Sequence, residues 1–191
     1  MDLQRLGIKL YIKDSSSFEI QELISIFHTW IQNQSIENHL LIDVHDYSHV
    51  HGGPGILLVA HEGNFNIDMS ENRLGLFYYR KQPLEGSSHE QLRSILKTTL
   101  QACQLLENDQ NLSGIQFESS ELLIIVNDRL QYPNTENTFD QFKPILSEIL
   151  THLFDSKKFT LNHQKDSQER FTLVAKTTKS LEIHKLLEHL S

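Results

Sequence analysis

Residues 43 to 62 hold the side chains best suited to chemistry: Asp43-Val44-His45-Asp46-Tyr47-Ser48-His49-Val50-His51-Gly52-Gly53-Pro54-Gly55, an apolar run from Ile56 to Ala60, then His61-Glu62. Four of the eleven histidines of the chain fall inside this stretch. Imidazole and carboxylate are the ligands of zinc, iron and manganese, so Asp43, His45, Asp46, His49 and His51 form a candidate set for a divalent transition metal. Strand alternation over Leu41 to His45 puts Asp43 and His45 on one sheet face, and a loop could return His49 and His51 to them. The pattern is not H-E-x-x-H and has no C-x-x-C pair. A solvated loop rich in histidine would read the same way.

The glycines offer a second chemistry. Gly52, Gly53 and Gly55 permit positive φ and free backbone N–H groups, which could form a nest for a carboxylate, a phosphate or a developing oxyanion. With Tyr47 and His49 beside it, and His61 and Glu62 at the end of the following strand as further candidates, the nest would suit acid–base catalysis on a small-molecule ligand, an acidic substrate. Gly-Gly-Pro-Gly is equally the composition of a tight turn entering a buried strand. No G-x-S-x-G, no phosphate-loop lysine and no G-x-G-x-x-G opening a helix is present, which disfavours hydrolase-elbow and nucleotide readings.

These side chains need a scaffold, and the apolar pattern describes one. Strands are predicted at Ile8–Ile12, Leu40–Val44, Gly55–Ala60, Phe65–Met69, Leu74–Tyr79, Leu122–Val126, Phe159–His163 and Phe171–Lys176. Leu40–Val44 and Gly55–Ala60 read as an antiparallel hairpin. Pairs of strands also flank the turns Ser70–Arg73 and Gln164–Arg170. Ser16 and Glu19 read as a capping box before a helix with Ile20, Leu23, Ile24, Phe27, Trp30 and Ile31 on one stripe, and Ser88 with Gln91 caps a second. A third helix starts at Thr138 and should kink at Pro144, and Leu181–Leu190 is a fourth. His28 and His39 read as structural or solvated. Cys103, the one cysteine, sits on a helix face as an inert buried thiol.

The hairpin geometry restricts the site. Along an extended strand, His61 and Glu62 lie about 20 Å from Gly55, at the far end from the loop. They join His49 only if residues 46 to 54 fold back over the sheet. Alternation lets just one of the pair face a given pocket, and His61 is the expected one.

The order strand, helix, strand, strand, helix recurs, over 7–110 and 118–191, and Leu58-Val59-Ala60-His61 resembles Leu173-Val174-Ala175-Lys176. Two degenerate βαββα units, the first carrying the loop, would share one core in a single domain, 1–191. The fold class expected is α+β: a mixed, mainly antiparallel sheet with helices on one face, ferredoxin-like in spirit.

Composition narrows the partners. With 38% hydrophobic and 22% charged residues the chain is globular, and its net charge of −8 argues against nucleic acid and anionic membranes. No apolar run approaches the length that spans a bilayer. A cytoplasmic protein is the default reading, and a homo-oligomer is compatible with it.

Asp46-Tyr47-x-His49-Val50-x-x-Gly53-Pro54-Gly55, with His61-Glu62 and Arg73-Leu74-Gly75-Leu76-x-Tyr78-x-Arg80-Lys81, resembles a pattern in a group of uncharacterised bacterial proteins. The resemblance covers residues 43 to 81, implies a bacterial source and carries over no functional residue. Two functions are therefore expected to compete: a small intracellular enzyme or metal-binding protein using residues 43 to 62, and a non-catalytic ligand-binding or oligomer-forming module in which the loop is an interface element.

Overall fold

A computed structural model describes residues 5–14, 18–112, 114–166 and 168–190. Eight strands form one sheet: β1 (Leu6–Ile12), β2 (Leu41–Tyr47), β3 (Gly55–Ala60), β4 (Gly63–Asp68), β5 (Gly75–Arg80), β6 (Phe117–Val126), β7 (Phe159–His163) and β8 (Phe171–Thr177). The helices are α1 (Glu22–Asn33), α2 (Ser88–Glu107), α3 (Glu136–Leu153) and α4 (Ile183–His189). Across the sheet the strands run β2-β3-β4-β5-β1-β6-β8-β7. Every neighbouring pair is antiparallel, so the mixed sheet expected from sequence is uniformly antiparallel.

Alternation explains the layers. Leu6, Ile8, Leu10 and Ile12 of β1 join one large core with the buried residues of all four helices, among them Phe27, Trp30, Leu96, Phe142 and Leu186. Each such apolar side chain stabilises by about 1.5–3 kcal/mol when fully buried. The opposite face holds a smaller cluster built from strands alone, with Tyr11, Phe77, Leu123, Ile125 and Val174. The helices thus lie on one face, as their single apolar stripes require.

Local corrections have physical causes. The N-cap of α2 is Ser87, whose hydroxyl accepts from the Glu90 N–H while the Glu90 carboxylate accepts from the Ser87 N–H; the predicted Ser88–Gln91 pair is one residue late. Thr135 caps α3 three residues ahead of the expected start. Pro144 lies inside α3 on its exposed side, where a released carbonyl can meet water. The proposed cap Ser16 lies outside the described residues, and α1 begins after Gln21 without a side-chain cap. Residues 7–110 contain the five strands predicted one by one, which exceeds the three of a βαββα unit because β4 and β5 stand between β3 and β1. Cys103 is fully buried, and burial raises its thiol pKa well above the ordinary value.

Candidate functional site

The β2–β3 hairpin carries the loop at one edge of the sheet, with Asp43 opposite Val59, His45 opposite Leu57 and Tyr47 opposite Gly55. A bulge between Leu41 and Asp43 shifts the register. Asp43 and His45 share a face as expected, their side chains 3.5 Å apart, and the His45 ring lies 6.1 Å from that of Tyr47. Both members of the Asp43–His45 pair are about half exposed, so their attraction is screened.

The loop then closes on itself. The Ser48 N–H donates to the Asp46 carboxylate at 2.8 Å, Val50 N–H to the Tyr47 carbonyl at 2.9 Å, and Gly53 N–H to the Val50 carbonyl at 2.9 Å. The Ser48 side-chain and backbone hydrogen bonds hold the Asp46 carboxyl below the usual carboxylate range, with His49 adding to the effect. His49 and His51 are exposed. Among the described residues no group of three or more His, Cys, Asp or Glu side chains could hold a metal ion. The ligand set Asp43, His45, Asp46, His49 and His51 is therefore not assembled: self-contained turns replace the fold-back that convergence needed.

The glycine nest fares similarly. The Gly53 N–H is already bonded within the loop, so it is not free for an anion. Gly55, at φ +63°, is dictated by a close approach, since a Cβ there would stand 1.9 Å from the Ile67 carbonyl oxygen. Gly52, at φ +68°, has open space around it and serves the turn.

His61 and Glu62 sit at the opposite end of the hairpin, as strand length requires. Glu62 is tied into the scaffold: its carboxylate accepts the Leu40 N–H at 2.8 Å, and its carbonyl accepts from Lys81 and Gln82. Partial burial opposes the Glu62 charge, but the Leu40 N–H, its own N–H and the neighbouring His39 and His61 together keep its pKa lowered. His61 is exposed, and its N–H donates to the Leu40 carbonyl at 2.9 Å. The four proposed catalytic residues, Tyr47, His49, His61 and Glu62, are thus split between two ends of a strand.

What the loop does form is one wall of a cleft. The facing wall is the 3₁₀ turn Ser70–Asn72 between β4 and β5, and the cavity of about 610 Å³ is lined by Tyr47, Val50, His51, Met69 and Asn72 among others. Five of the six large apolar side chains that stay exposed among the described residues are Leu40, Ile42, Tyr47, Val50 and Met69, along this edge and cleft; the sixth is Leu130. The backbone of the edge is guarded. Gln34 bonds both the N–H and the carbonyl of Leu41, each at 3.0 Å, and the Asp43 carboxylate accepts the Val44 N–H at 2.8 Å. Such side-chain caps oppose strand addition while leaving the apolar side chains available.

The floor of the cleft rests on a residue that sequence reasoning passed over. Lys9, fully buried, donates from Nζ to the Asp68 carboxylate at 2.6 Å and to the Ser70 hydroxyl at 2.8 Å. It also reaches the carbonyls of Asp68, Ser70 and Arg73 at 3.2, 3.0 and 2.9 Å. Burial pushes the Lys9 ammonium pKa down, and Asp68 pulls against that shift. Five acceptors around three N–H donors make Lys9 a pin for the turn, not a free amine. Arg73 continues the network, its guanidinium 3.6 Å from the Tyr11 ring centre and 3.0 Å from Glu121. The available signal was a lone lysine inside the otherwise apolar strand Leu6–Ile12.

The chain matches no protein-family model, and comparisons with curated proteins and with solved structures give no match. Among the described residues no helix is long and apolar enough to cross a membrane.

Proposed function

We propose that this protein is a non-catalytic binding module that seats a small amphipathic molecule, or an apolar side chain of a partner, in the cleft between the 48–54 loop and the 70–72 turn. The observation that carries this reading is the gathering of Tyr47, Val50 and Met69, all exposed, in the lining of that cleft, while Leu40 and Ile42 are exposed further along the same edge strand. Contiguous exposed apolar groups rimmed by polar ones mark binding surfaces. Buried Lys9 holds one wall rigid, and preorganisation of this kind lowers the cost of binding. An enzyme built on His49, His61, Glu62 and Tyr47 gains no support, because those groups do not converge.

The neutral fluorophore N-phenyl-1-naphthylamine tests the assignment. Its emission should rise on binding, lose that rise in a Val50→Asp, Met69→Lys double variant, and keep it in His49→Ala. An equal rise in the double variant, with its fold intact, would remove the cleft from consideration.

We also infer that the chain is an internal duplication within one intracellular domain. Leu41 of β2 pairs with Ala60 of β3, and Leu161 of β7 pairs with Ala175 of β8, so the two similar Leu-Val-Ala stretches occupy matching places in the two outer hairpins. β1 and β6 pair antiparallel at the junction, and β4–β5 is then an insertion in the first copy. Because that junction pairing is shared, residues 1–110 expressed alone should show no cooperative unfolding transition.

A further inference from the structure

The helical layer contains a second feature, remote in sequence from the loop. α2, α3 and α4 pack against one another, and between them lies a cavity of about 260 Å³ lined by His89, Arg93, Ile149, His152, His189 and Leu190. A second cavity, of about 440 Å³, shares His152 and His189 and adds Lys157, Asp155, Thr151 and Ser156. The two adjoin at His152 and His189, and the groove they outline is bordered by Arg93, Lys157 and three imidazoles in a chain of net charge −8.

The carboxylates nearby are weak or occupied competitors. Glu148 stands 3.9 Å from His89 and is two-thirds exposed. Asp155 pairs with Lys179 at 3.4 Å, and Glu188 with Lys185 at 3.0 Å. Arg93 donates from Nε and Nη2 to the Leu190 carbonyl, and among the described residues it has no carboxylate partner. His189 Nδ1 lies 2.8 Å from the Leu153 carbonyl, which can only accept; the proton must be on Nδ1, leaving Nε2 for another partner. A cation near a helix C-terminus can be explained by the helix dipole, which accounts for His152 and His189. The same dipole disfavours His89 and Arg93, in the first two turns of α2. Arg93 has a structural task in capping the Leu190 carbonyl at the end of α4, whereas the place of His89 beside it, at the start of α2, lacks a helix-stability explanation.

We propose that this groove is an oxyanion site, taking a phosphate or sulfate group between Arg93 and the imidazoles of His89, His152 and His189. Arg93 offers its remaining guanidinium N–H groups, and each imidazole becomes a full donor when protonated. Binding should strengthen as pH falls through the range where imidazole titrates. The other charged groups around the groove are Glu148, Asp155 and Glu188 and the cations Arg93, Lys157, Lys179 and Lys185.

Sulfate is the informative probe because its charge is constant over this range, so any pH dependence belongs to the protein. Sulfate titrated into the full chain, followed by side-chain imidazole resonances with sodium chloride at matched ionic strength as control, should give saturable shifts of His89, His152 and His189. Affinity should fall about tenfold or more from pH 6 to pH 8. His152→Gln, at an exposed position, should weaken binding severalfold while leaving the thermal transition unchanged, and Arg93→Gln should abolish it. Inorganic phosphate at pH 6 should compete. Shifts that do not saturate, that chloride reproduces, or that persist unchanged in His152→Gln would overturn the assignment even if Arg93→Gln proved unstable. Cleft binding of N-phenyl-1-naphthylamine is independent of either result.

Discussion

At one edge of the sheet, Leu40, Ile42, Tyr47 and Val50 stand in solvent; at the other, β7 turns Phe159 and Leu161 onto the helical core and buries the His163 side chain to 3% exposure. The second hairpin is also tied down from above. Asn134 Oδ1 accepts from His163 Nε2 at 2.6 Å and its Nδ2 donates to the Gln164 and Asp166 carbonyls, while the Phe139 ring stacks on His163 with centres 5.5 Å apart. At the first hairpin, Gln34 and Asp43 cover backbone groups and leave the apolar side chains uncovered. Two edges of one sheet have been protected differently: one by burial, the other by capping the ladder alone. That difference is why the first edge reads as a surface for association and the second as scaffold.

The largest expected effect separates structure from surface within the first hairpin itself. Gly55→Ala forces a Cβ against the Ile67 carbonyl at a positive φ and should cost about 3 kcal/mol or prevent folding. Gly52→Ala, also at positive φ but in open space, should cost about 1–2 kcal/mol. Urea denaturation midpoints compare the two directly; equal losses would mean that the approach of β4 is not what demands Gly55.

A smaller contrast sets one histidine from each hairpin against the other. His163→Ala removes a buried ring and strands the Asn134 side chain, and should cost about 2 kcal/mol. His45→Ala, on the exposed side of β2, should stay within about 0.5 kcal/mol of the parent. Comparable destabilisation by both would erase the distinction between the edges.

The first hairpin has its own buried histidine, and its signature is pH. His39 Nδ1 donates to the Glu37 carbonyl at 2.9 Å, so in the neutral ring Nε2 accepts from the Tyr78 hydroxyl at 2.7 Å. Burial lowers the His39 pKa from 6.5, with Arg80 adding to the shift, and together they outweigh the Glu37 hydrogen bond and the Glu62 charge. With the folded pKa depressed, protons prefer the unfolded chain, so stability present above pH 6.5 is lost as pH falls through the folded pKa. Thermal midpoints between pH 7.5 and 5 should therefore drop, and drop less steeply in His39→Gln. Parallel profiles would assign the acid sensitivity elsewhere.

Much of the scaffold was legible from period alone. Gly55–Ala60 reads as a strand because its apolar run is bounded by Gly-Pro-Gly and His-Glu, and α2 because Leu92, Ile95, Leu96, Cys103 and Leu106 repeat at helical spacing. The separation of His61 and Glu62 from the loop followed from strand rise. Convergence was not legible, since it depends on how a loop closes: Asp46 and Val50 bind their own neighbours, and the metal set falls apart. Lys9 meets Asp68, and Arg93 approaches His152 and His189, only through sheet order and helix packing. No local spacing encodes either.

Amide chemical-shift mapping of N-phenyl-1-naphthylamine binding tests the central claim most directly. The account predicts saturable shifts confined to residues 47–53 and 68–72, abolished in the Val50→Asp, Met69→Lys variant and retained in His49→Ala and His163→Gln. Saturable shifts centred on β7, on the helical layer or on His61, with residues 47–53 unmoved, would contradict it.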